Sequence, residues 1–522
     1  MDVSLALFII ITTYLTVVIA RWALKRHKRL SLFKRYGISG PETSFITGNM
    51  NQLKSGATPN DIITSWLKEY GDVFGYFLGD IPYLVIKDLD MIKQVFIKDF
   101  HVFNNRQDMF LDIKPFNNSV IYLKDKRWKE VRSFLAPTFS SGKIKLMTDI
   151  VNKKVDITLD VVEKHAQKNE MFDIYELVQG LTLDVIADCA LAMKTDCQKN
   201  PKDIFLISVR DFFRYIENWA MDYAIMFPFV ATIITFILKY MTSGRMTSLI
   251  VYSVNRAIAV KRENPDVKSM DYLKLMLDHS DAKVPSGLTD EEIVANAYVF
   301  MLAGYETTAT ALAFTIYLLV KHPEIQEKLY QEIEKIEDSS YSSVQSLQYL
   351  DQVFSESLRY YPPVTGFVSR QCQQDHQVGS ITIPEGAVVL APVWDIHHDP
   401  ELWPDPWNFD PDRFSLDNKA SLNTHTRSFK LLWNFDPDRF SLDNKASLNS
   451  MAYMPFGIGR RNCIGARFAQ LEVKLAIFRL LKKFKLEACE KTGDNLLLKC
   501  PTFIINPANG VYLRTVPRTA TS

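Results

Sequence analysis

The stretch "FGIGRRNCIGARFA", Phe456–Ala469, sets one cysteine, Cys463, among glycines and arginines just before a helix-like run, Ala466–Leu481. A thiolate there would sit at a helix N-terminus, where free backbone N–H groups and the helix dipole favour negative charge. Gly459 and Gly465 allow a tight turn and the close approach of a flat ligand. Arg460 and Arg461 supply cations suited to carboxylates. A lone cysteine is ordinarily a small buried hydrophobe, so the glycine and arginine setting is what marks Cys463 as chemical. The other cysteines, Cys189, Cys197, Cys372, Cys489 and Cys500, form no CxxC pair and no disulfide-rich spacing. They read as reduced thiols in a cytosol-facing protein.

Upstream lies "AGYETT", Ala303–Thr308. The pattern carrying it opens with the capping box Thr289-x-x-Glu292 and runs unbroken to about Lys321, before Pro323. A helix of roughly 30 residues spans about 45 Å, enough to cross a domain core. The acid–alcohol pair Glu306–Thr307, set among Ala, Phe, Leu and Gly, is costly unless something uses it; the plain alternative is a helix notch with an i−4 hydroxyl bond. Further on, "ESLRYYPP" puts Glu356 and Arg359 at i,i+3 on one helix face, ended by Pro362–Pro363. Such a pair is ordinarily a surface ion pair of small worth. "WNFDPDRFSLDNKASLN" occurs at Trp407–Asn423 and again at Trp433–Asn449, 26 positions later. Two copies cannot stack a repeat core, so one of them is structural and the other spare.

Length alone, 522 residues, suggests more than one domain. Yet no Gly/Ser-rich or charged linker divides the chain after residue 37, and residues 37–522 read as one domain. Apolar content of 47% with 23% charged residues excludes wholesale disorder. A net charge of +1 provides no global field for nucleic acid. The 33 Phe and 22 Tyr suit a large apolar core or pocket. The uncharged run Ser4–Ala20 covers most of a bilayer core. Arg21, Lys25, Arg26, Lys28, Arg29, Lys34 and Arg35 follow it, so residues 1–36 read as an uncleaved anchor that keeps the rest cytosolic. Tyr70–Asp88 and Gly379–Asp399 read as hairpin-like, and Asp125 to about Lys335 as largely helical. The second apolar run, Ala224–Met241, is interrupted by Pro228 and reads as a buried or membrane-touching helix pair.

The signature Phe456-x-x-Gly459-x-Arg461-x-Cys463-x-Gly465, with the other motifs in order, resembles the cytochrome P450 superfamily over roughly residues 37–515. In detail it is most similar to the membrane-bound group containing the family 3 drug-metabolising enzymes and thromboxane synthase. The resemblance implies a mainly α fold with small β-sheets (α+β) behind an N-terminal membrane-anchor helix. It implies a b-type haem with Cys463 as proximal thiolate, a ligand that favours O–O cleavage, in a loop that includes Phe456 and Gly465. Trp128 and Arg132 in "RWKEVR", Arg370 in "FVSRQC" and Arg461 resemble partners of the haem propionates. Thr307 would orient oxygen and a proton-donating water, Glu306 would relay protons, and Ala303 and Gly304 would leave space for O2 and substrate.

The pair Glu356–Arg359 would be buried and completed by the arginine of a PxRF segment. That is Arg439, 24 residues before Cys463 as in the family, or Arg413, which follows "HHDPELWPDP" in the family's register. The expectation is that Arg439 docks and that residues 407–432 loop out. Phe110, Phe116, Phe212, Phe213 and Phe367 are the aromatics expected near an apolar substrate. The implied function is insertion of one atom of O2 into an apolar organic molecule at the endoplasmic reticulum membrane. Electrons would come from NADPH through NADPH–cytochrome P450 reductase, with cytochrome b5 as a further donor; nucleic acid is not an expected partner. Two alternatives stay open: a redox-partner-free endoperoxide isomerase, against which Thr307 argues, and a haem-binding membrane protein disabled by the duplication.

Overall fold

The computed structural model describes residues 3–415, 451–500 and 503–518, apart from Ala57, 109–113, Ala192, 216–218, Lys239, Met241, 265–270 and 281–286. The helices that position the site are α1 (Val3–Leu30), α2 (Asp125–Leu135), α3 (Ser141–Gln167), α4 (Ile174–Leu191), α5 (Ile204–Tyr215), α6 (Trp219–Met226), α7 (Ala231–Leu238), α8 (Asp290–Lys321), α9 (Gln348–Tyr360) and α10 (Ala466–Lys483). The main sheet holds β1 (Val73–Leu78), β2 (Ile81–Ile86), β3 (Ser369–Gln371) and β4 (Val388–Leu390). The architecture is mainly α with small β-sheets, as expected.

The capping box forms as read. Thr289 Oγ1 accepts from the Glu292 N–H at 3.2 Å, and the Glu292 carboxylate accepts from the Thr289 N–H at 2.9 Å. From that cap α8 runs 32 residues, about 48 Å, to the residue before His322–Pro323. It packs along α4, with α3, α9 and α10 completing a helical core through Leu181, Leu312, Ile316, Leu350, Leu475 and Ile477. Gly304 also belongs to this packing. A Cβ built there would lie 2.9 Å from Ile186 Cδ1 of α4, so the glycine lets the two helices approach.

Tyr70–Asp88 forms the expected hairpin, β1 pairing antiparallel with β2 from Val73↔Ile86 to Leu78↔Ile81. β4 lies parallel to β2, and β3 antiparallel to β4 with Arg370 opposite Val389. Gly379–Asp399 differs from its hairpin reading. Ile381–Ile383 pairs with His376–Val378, whereas Val388–Leu390 joins the main sheet. The cause is the turn between them, closed by Ala387 N–H to Pro384 O at 3.1 Å with Gly386 at φ +82°. A second apolar cluster, with Phe77, Leu84, Phe96, Val389 and Met454, packs around the main sheet.

At the N-terminal end, α1 continues through the basic residues to Leu30. Arg21, Lys25, Lys28, Arg29, Lys34 and Arg35 are exposed, but Arg26 is fully buried, which a purely electrostatic stop signal would not require. Ala224–Met241 is a helix pair, α6 and α7, bent by 120° at the turn begun by Pro228.

The i,i+3 pair in α9 is buried rather than superficial, with both side chains fully excluded from solvent. Arg359 Nε and Nη2 donate to the two oxygens of Glu356 at 2.7 and 2.8 Å, and Nη1 donates to the His397 carbonyl at 2.9 Å. Here the structure corrects the expectation about the duplicated segment. Arg413 of the first copy sits 3.4 Å from Glu356 Oε1, and the neighbouring Asp410 N–H donates to the same oxygen at 3.1 Å. Arg439 and the rest of the second copy lie outside the described residues.

A physical reason favours the first copy. Its arginine also donates to the carbonyls of Pro404 and Asp405, and Phe414 packs on Trp403 at 5.7 Å. These partners lie within a dozen residues upstream, whereas the second copy would have to reach them across 26 more. The longer connection to Cys463 that results costs only about 0.6 kcal/mol per doubling of loop length.

Deleting 407–432 or 424–449 produces one and the same polypeptide, so deletion cannot discriminate between the copies. Point substitution can. Arg413→Ala should lower the thermal unfolding midpoint by a loss of about 1–3 kcal/mol, because Glu356 keeps only Arg359. Arg439→Ala should leave it unchanged, and the reverse ranking would show that the second copy docks.

Candidate active site

The loop from Met454 to Gly465 hangs from the α9 ion pair. The His397 carbonyl takes the Arg359 bond, and His397 Nε2 accepts from the Met454 N–H at 3.0 Å. Burial holds this imidazole neutral, far below its ordinary pKa, so that nitrogen can accept. Tyr453 stacks on His397 at 5.4 Å and donates to the Ser355 carbonyl at 2.9 Å. Gly457 and Gly459 adopt φ +70° and +68°, and a Cβ on Gly459 would fall 2.3 Å from the Phe96 carbonyl oxygen. No other residue type fits position 459. Gly465 lines the cavity beside Cys463 and caps α10 at φ −90°, with the nearest protein atom to an added Cβ 3.7 Å away. The second left-handed turn residue is Gly457.

Cys463 closes the loop, its N–H donating to the Phe456 carbonyl at 2.8 Å. Its side chain is open to a cavity that encloses about 1950 Å³ of atom-free space, part of it continuous with solvent. Protein surrounds the thiol on its other sides and pushes its pKa up. The Gly465 N–H and the charges of Arg132 and Arg106 work in the opposite direction, toward thiolate. The Gly465 N–H is the helix-start donor anticipated from the sequence; the help from the two arginines and the opposing desolvation are not.

Among the described residues, four arginines and no carboxylate line this cavity: Arg106, Arg132, Arg370 and Arg461. Arg370 projects from β3, buried, and its guanidinium is held far below its ordinary pKa by burial and then by Arg106, Arg461 and Arg132. Burial first and the neighbouring cations second lower Arg461 to about 9. Burial lowers Arg106 to about 10, and lowers Arg132 while Cys463 opposes that shift.

The partners of these arginines differ. Arg132 donates to Asn462 Oδ1 at 2.8 Å and to its carbonyl at 3.0 Å. Arg461 stacks over Trp128 at 4.1 Å and donates to the carbonyls of Asn104 and Leu123 at 2.7 and 2.9 Å. It is therefore more a brace for the 104–123 loop than a free ligand, which differs from its reading. Arg106, unanticipated, lies 4.2 Å over Phe367, and the Nε atoms of Arg106 and Arg370 are buried without hydrogen-bond partners.

The α8 side of the cavity is a stripe of Val299, Phe300, Ala303, Gly304, Thr307, Thr308 and Ala311. Thr307 Oγ1 donates to the Ala303 carbonyl at 2.6 Å, the i−4 bond of a helix hydroxyl. Glu306 does not line the cavity. One residue back along a helix is a rotation of about 100°, which turns it toward α4. There it is buried, accepting from the Tyr175 hydroxyl, from Gln179 Nε2 at 3.2 Å and from Asn506 Nδ2 at 3.0 Å. Glu306 therefore stands behind the cavity wall, on the α4 side of α8.

Phe116, Phe212, Phe213 and Phe367 all line the cavity; Phe110 lies outside the described residues. Phe116 stacks on Phe212 at 5.8 Å and meets Tyr298 edge-on at 5.2 Å, while Phe367 stacks on Phe503 at 5.3 Å. Phe503 and Ile504 come from a late segment with no sequence motif to flag it. Arg106 is likewise an unpatterned loop residue, legible only once placed.

A flat group bearing two carboxylates fits these residues. The thiol offers a ligand for a metal, positive-φ glycines shape the loop beside it, and the two unpartnered Nε donors of Arg106 and Arg370 suit anions. A haem has that chemistry.

Comparison with known proteins agrees. The cytochrome P450 family matches residues 38–432 and 433–514, dividing where the second copy of the repeated segment begins. Cytochrome P450 3A16 of Mus musculus is 32% identical over 500 residues, covering 94% of this chain and 93% of its own. Cytochrome P450 3A31 of Mesocricetus auratus is 32% identical over 507 residues, covering 96% and 95%. Cytochrome P450 3A12 of Canis lupus familiaris is 32% identical over 498 residues, covering 93% and 92%. The chain belongs to the cytochrome P450 family, whose members are haem monooxygenases.

Proposed function

We propose that this enzyme inserts one atom of O2 into a bulky apolar molecule of xenobiotic, steroid or fatty-acid-like character. Two electrons arrive from NADPH through a membrane reductase, and cytochrome b5 is a further donor. The balance is R–H + O2 + NADPH + H+ → R–OH + H2O + NADP+. The observation that carries the proposal is the single cavity onto which a thiol, four arginines, a helix threonine and an aromatic wall all open. Residues 1–36 act as an anchor in the endoplasmic reticulum membrane, and residues 37–522 form one cytosolic haem domain.

The bound haem supplies thiolate-ligated iron that activates dioxygen. Cys463 furnishes the thiolate, favoured by the Gly465 N–H and nearby arginines. Arg106, Arg132 and Arg370 would neutralise its two propionates, with Trp128 bracing Arg461 beside them and Phe456 in the loop that presents Cys463. Thr307 would orient a proton-donating water, its hydroxyl accepting from that water while donating to the Ala303 carbonyl, with the protons drawn from solvent through the water. Glu306 positions α8 against α4 and supports Thr307 from behind. Phe116, Phe212, Phe213 and Phe367 exclude water and orient the apolar substrate.

A carbon monoxide difference spectrum on the reduced protein tests the ligand. The wild type should give the red-shifted thiolate band and Cys463→Ser should lose it; an unshifted wild-type band would sink the assignment. Arg106→Ala should weaken haem retention about tenfold, the worth of one charge-assisted hydrogen bond, in a transfer assay to apomyoglobin. Retention equal to wild type would remove Arg106 from the site. Thr307→Ala should keep the band and NADPH consumption but lower product formed per NADPH on the order of tenfold, the scale of one proton-transfer contribution. Unchanged coupling would exclude the proton role.

A further inference from the structure

Arg26 is the one basic residue after the apolar run of α1 that is buried, and its hydrogen bonds go to backbone carbonyls, with Asp80 the acid whose charge acts on it. Its Nε and Nη2 donate to the carbonyls of Phe45 and Ile46, and Nη1 donates to the Met226 carbonyl at 2.9 Å. Met226 is the last residue of α6, so the guanidinium also caps the negative end of that helix. One turn earlier, Trp22 receives Arg26 on its face at 5.3 Å and packs against Phe45, Phe227 and Phe229 at 5.7, 5.4 and 6.1 Å. A single arginine–tryptophan pair thus binds α1, the 45–46 loop and the α6–α7 bend together.

Beyond this joint the surface is apolar on both sides. The α1 window has a mean hydropathy of 2.5 and buries nothing in the rest of the chain. On the hairpin, Trp219, Phe229, Ile233, Phe236, Ile237 and Tyr240 are exposed, Phe236 at 63%. Exposed patches of this kind are coverings in waiting, and continuity with α1 identifies what covers this one. We propose that Arg26 clamps the anchor helix to the α6–α7 hairpin so that both enter one lipid bilayer as a single apolar body, with Arg26 and Trp22 at the lipid–water boundary.

The fork of an arginine reaches three carbonyls where a lysine could not, and Trp beside a snorkelling cation is the side-chain pair favoured at that boundary. The anchor would then set the tilt of the catalytic domain rather than merely tether it. This inference rests on the membrane-anchor reading of residues 1–36.

The test uses the full chain reconstituted in phosphatidylcholine vesicles, with the photo-reactive residue p-benzoylphenylalanine placed at Phe236, at Ile233 or, as a control, at Leu146 of α3, which is 52% exposed. Lipid adducts should form at 236 and 233 and not at 146. In Arg26→Met, vesicle flotation should persist while lipid adducts at 236 fall several-fold, and Arg26→Lys should recover them only in part. Adducts undiminished in Arg26→Met, or absent at 233 and 236 in a floating wild type, would overturn the clamp. Failure of the wild type to float would overturn the anchor reading itself. The reduced carbon monoxide band reports folding, and Trp22→Ala, which loosens the same joint without stranding carbonyls, replaces Arg26→Met if that variant loses the band.

Discussion

Four guanidinium groups share the wall of one apolar cavity with no carboxylate among the described lining residues. Each is lowered from its ordinary pKa by desolvation, and Arg106, Arg370 and Arg461 are lowered further by neighbouring guanidinium charge. Like charges in a medium of low dielectric repel strongly. The protein holds them together with backbone carbonyls, with aromatic faces such as Trp128 and Phe367, and with the strand pairing that seats Arg370. A dianionic ligand relieves what those contacts only contain. The same positive field is what favours thiolate at Cys463, so the cluster serves ligand binding and ligand chemistry at once.

The other requirement is a loop that does not move. Glu356 and Arg359 are buried without water, and burial raises the Glu356 carboxyl against the pull of Arg359. Ion pairs of this kind are poor sources of net stability but costly to break, and their directional bonds select one geometry. Arg359 reaches His397, His397 reaches Met454, and nine residues later the chain presents Cys463. Arg413 and Asp410 add a second strand of contacts to the same carboxylate. Position is transmitted from α9 to the thiol through hydrogen bonds, with the packing of Tyr453 and Met454 beside them.

Much of this was legible in the chain. The capping box at Thr289, the break at Pro228, the β1–β2 hairpin and the cysteine loop all depend on local chemistry: a side-chain cap, a missing N–H, a glycine conformation. The stripe on α8 was legible through period, and the same period should have turned Glu306 away from Thr307. What could not be read depends on contacts distant in sequence. Arg106, Phe503 and the burial of Arg26 carry no local pattern, and the choice between two identical segments is decided by Pro404, Asp405 and Trp403, which lie outside the copied letters. The second role of Gly304, letting α8 approach α4, could not be read because its neighbour across the interface, Ile186, is more than a hundred positions away.

Arg370 lies on the main sheet, whose apolar cluster includes Phe96 and Ile458, whereas Trp128 and Phe468 belong to the helical cluster. A ligand held by side chains from both therefore acts as a cross-link between two hydrophobic cores. Its binding free energy becomes part of the folding free energy, growing as RT ln(1 + [L]/Kd) with ligand supply. How long this chain survives in a cell is thus coupled to how much haem the cell makes, and the cavity wall is where that account is read.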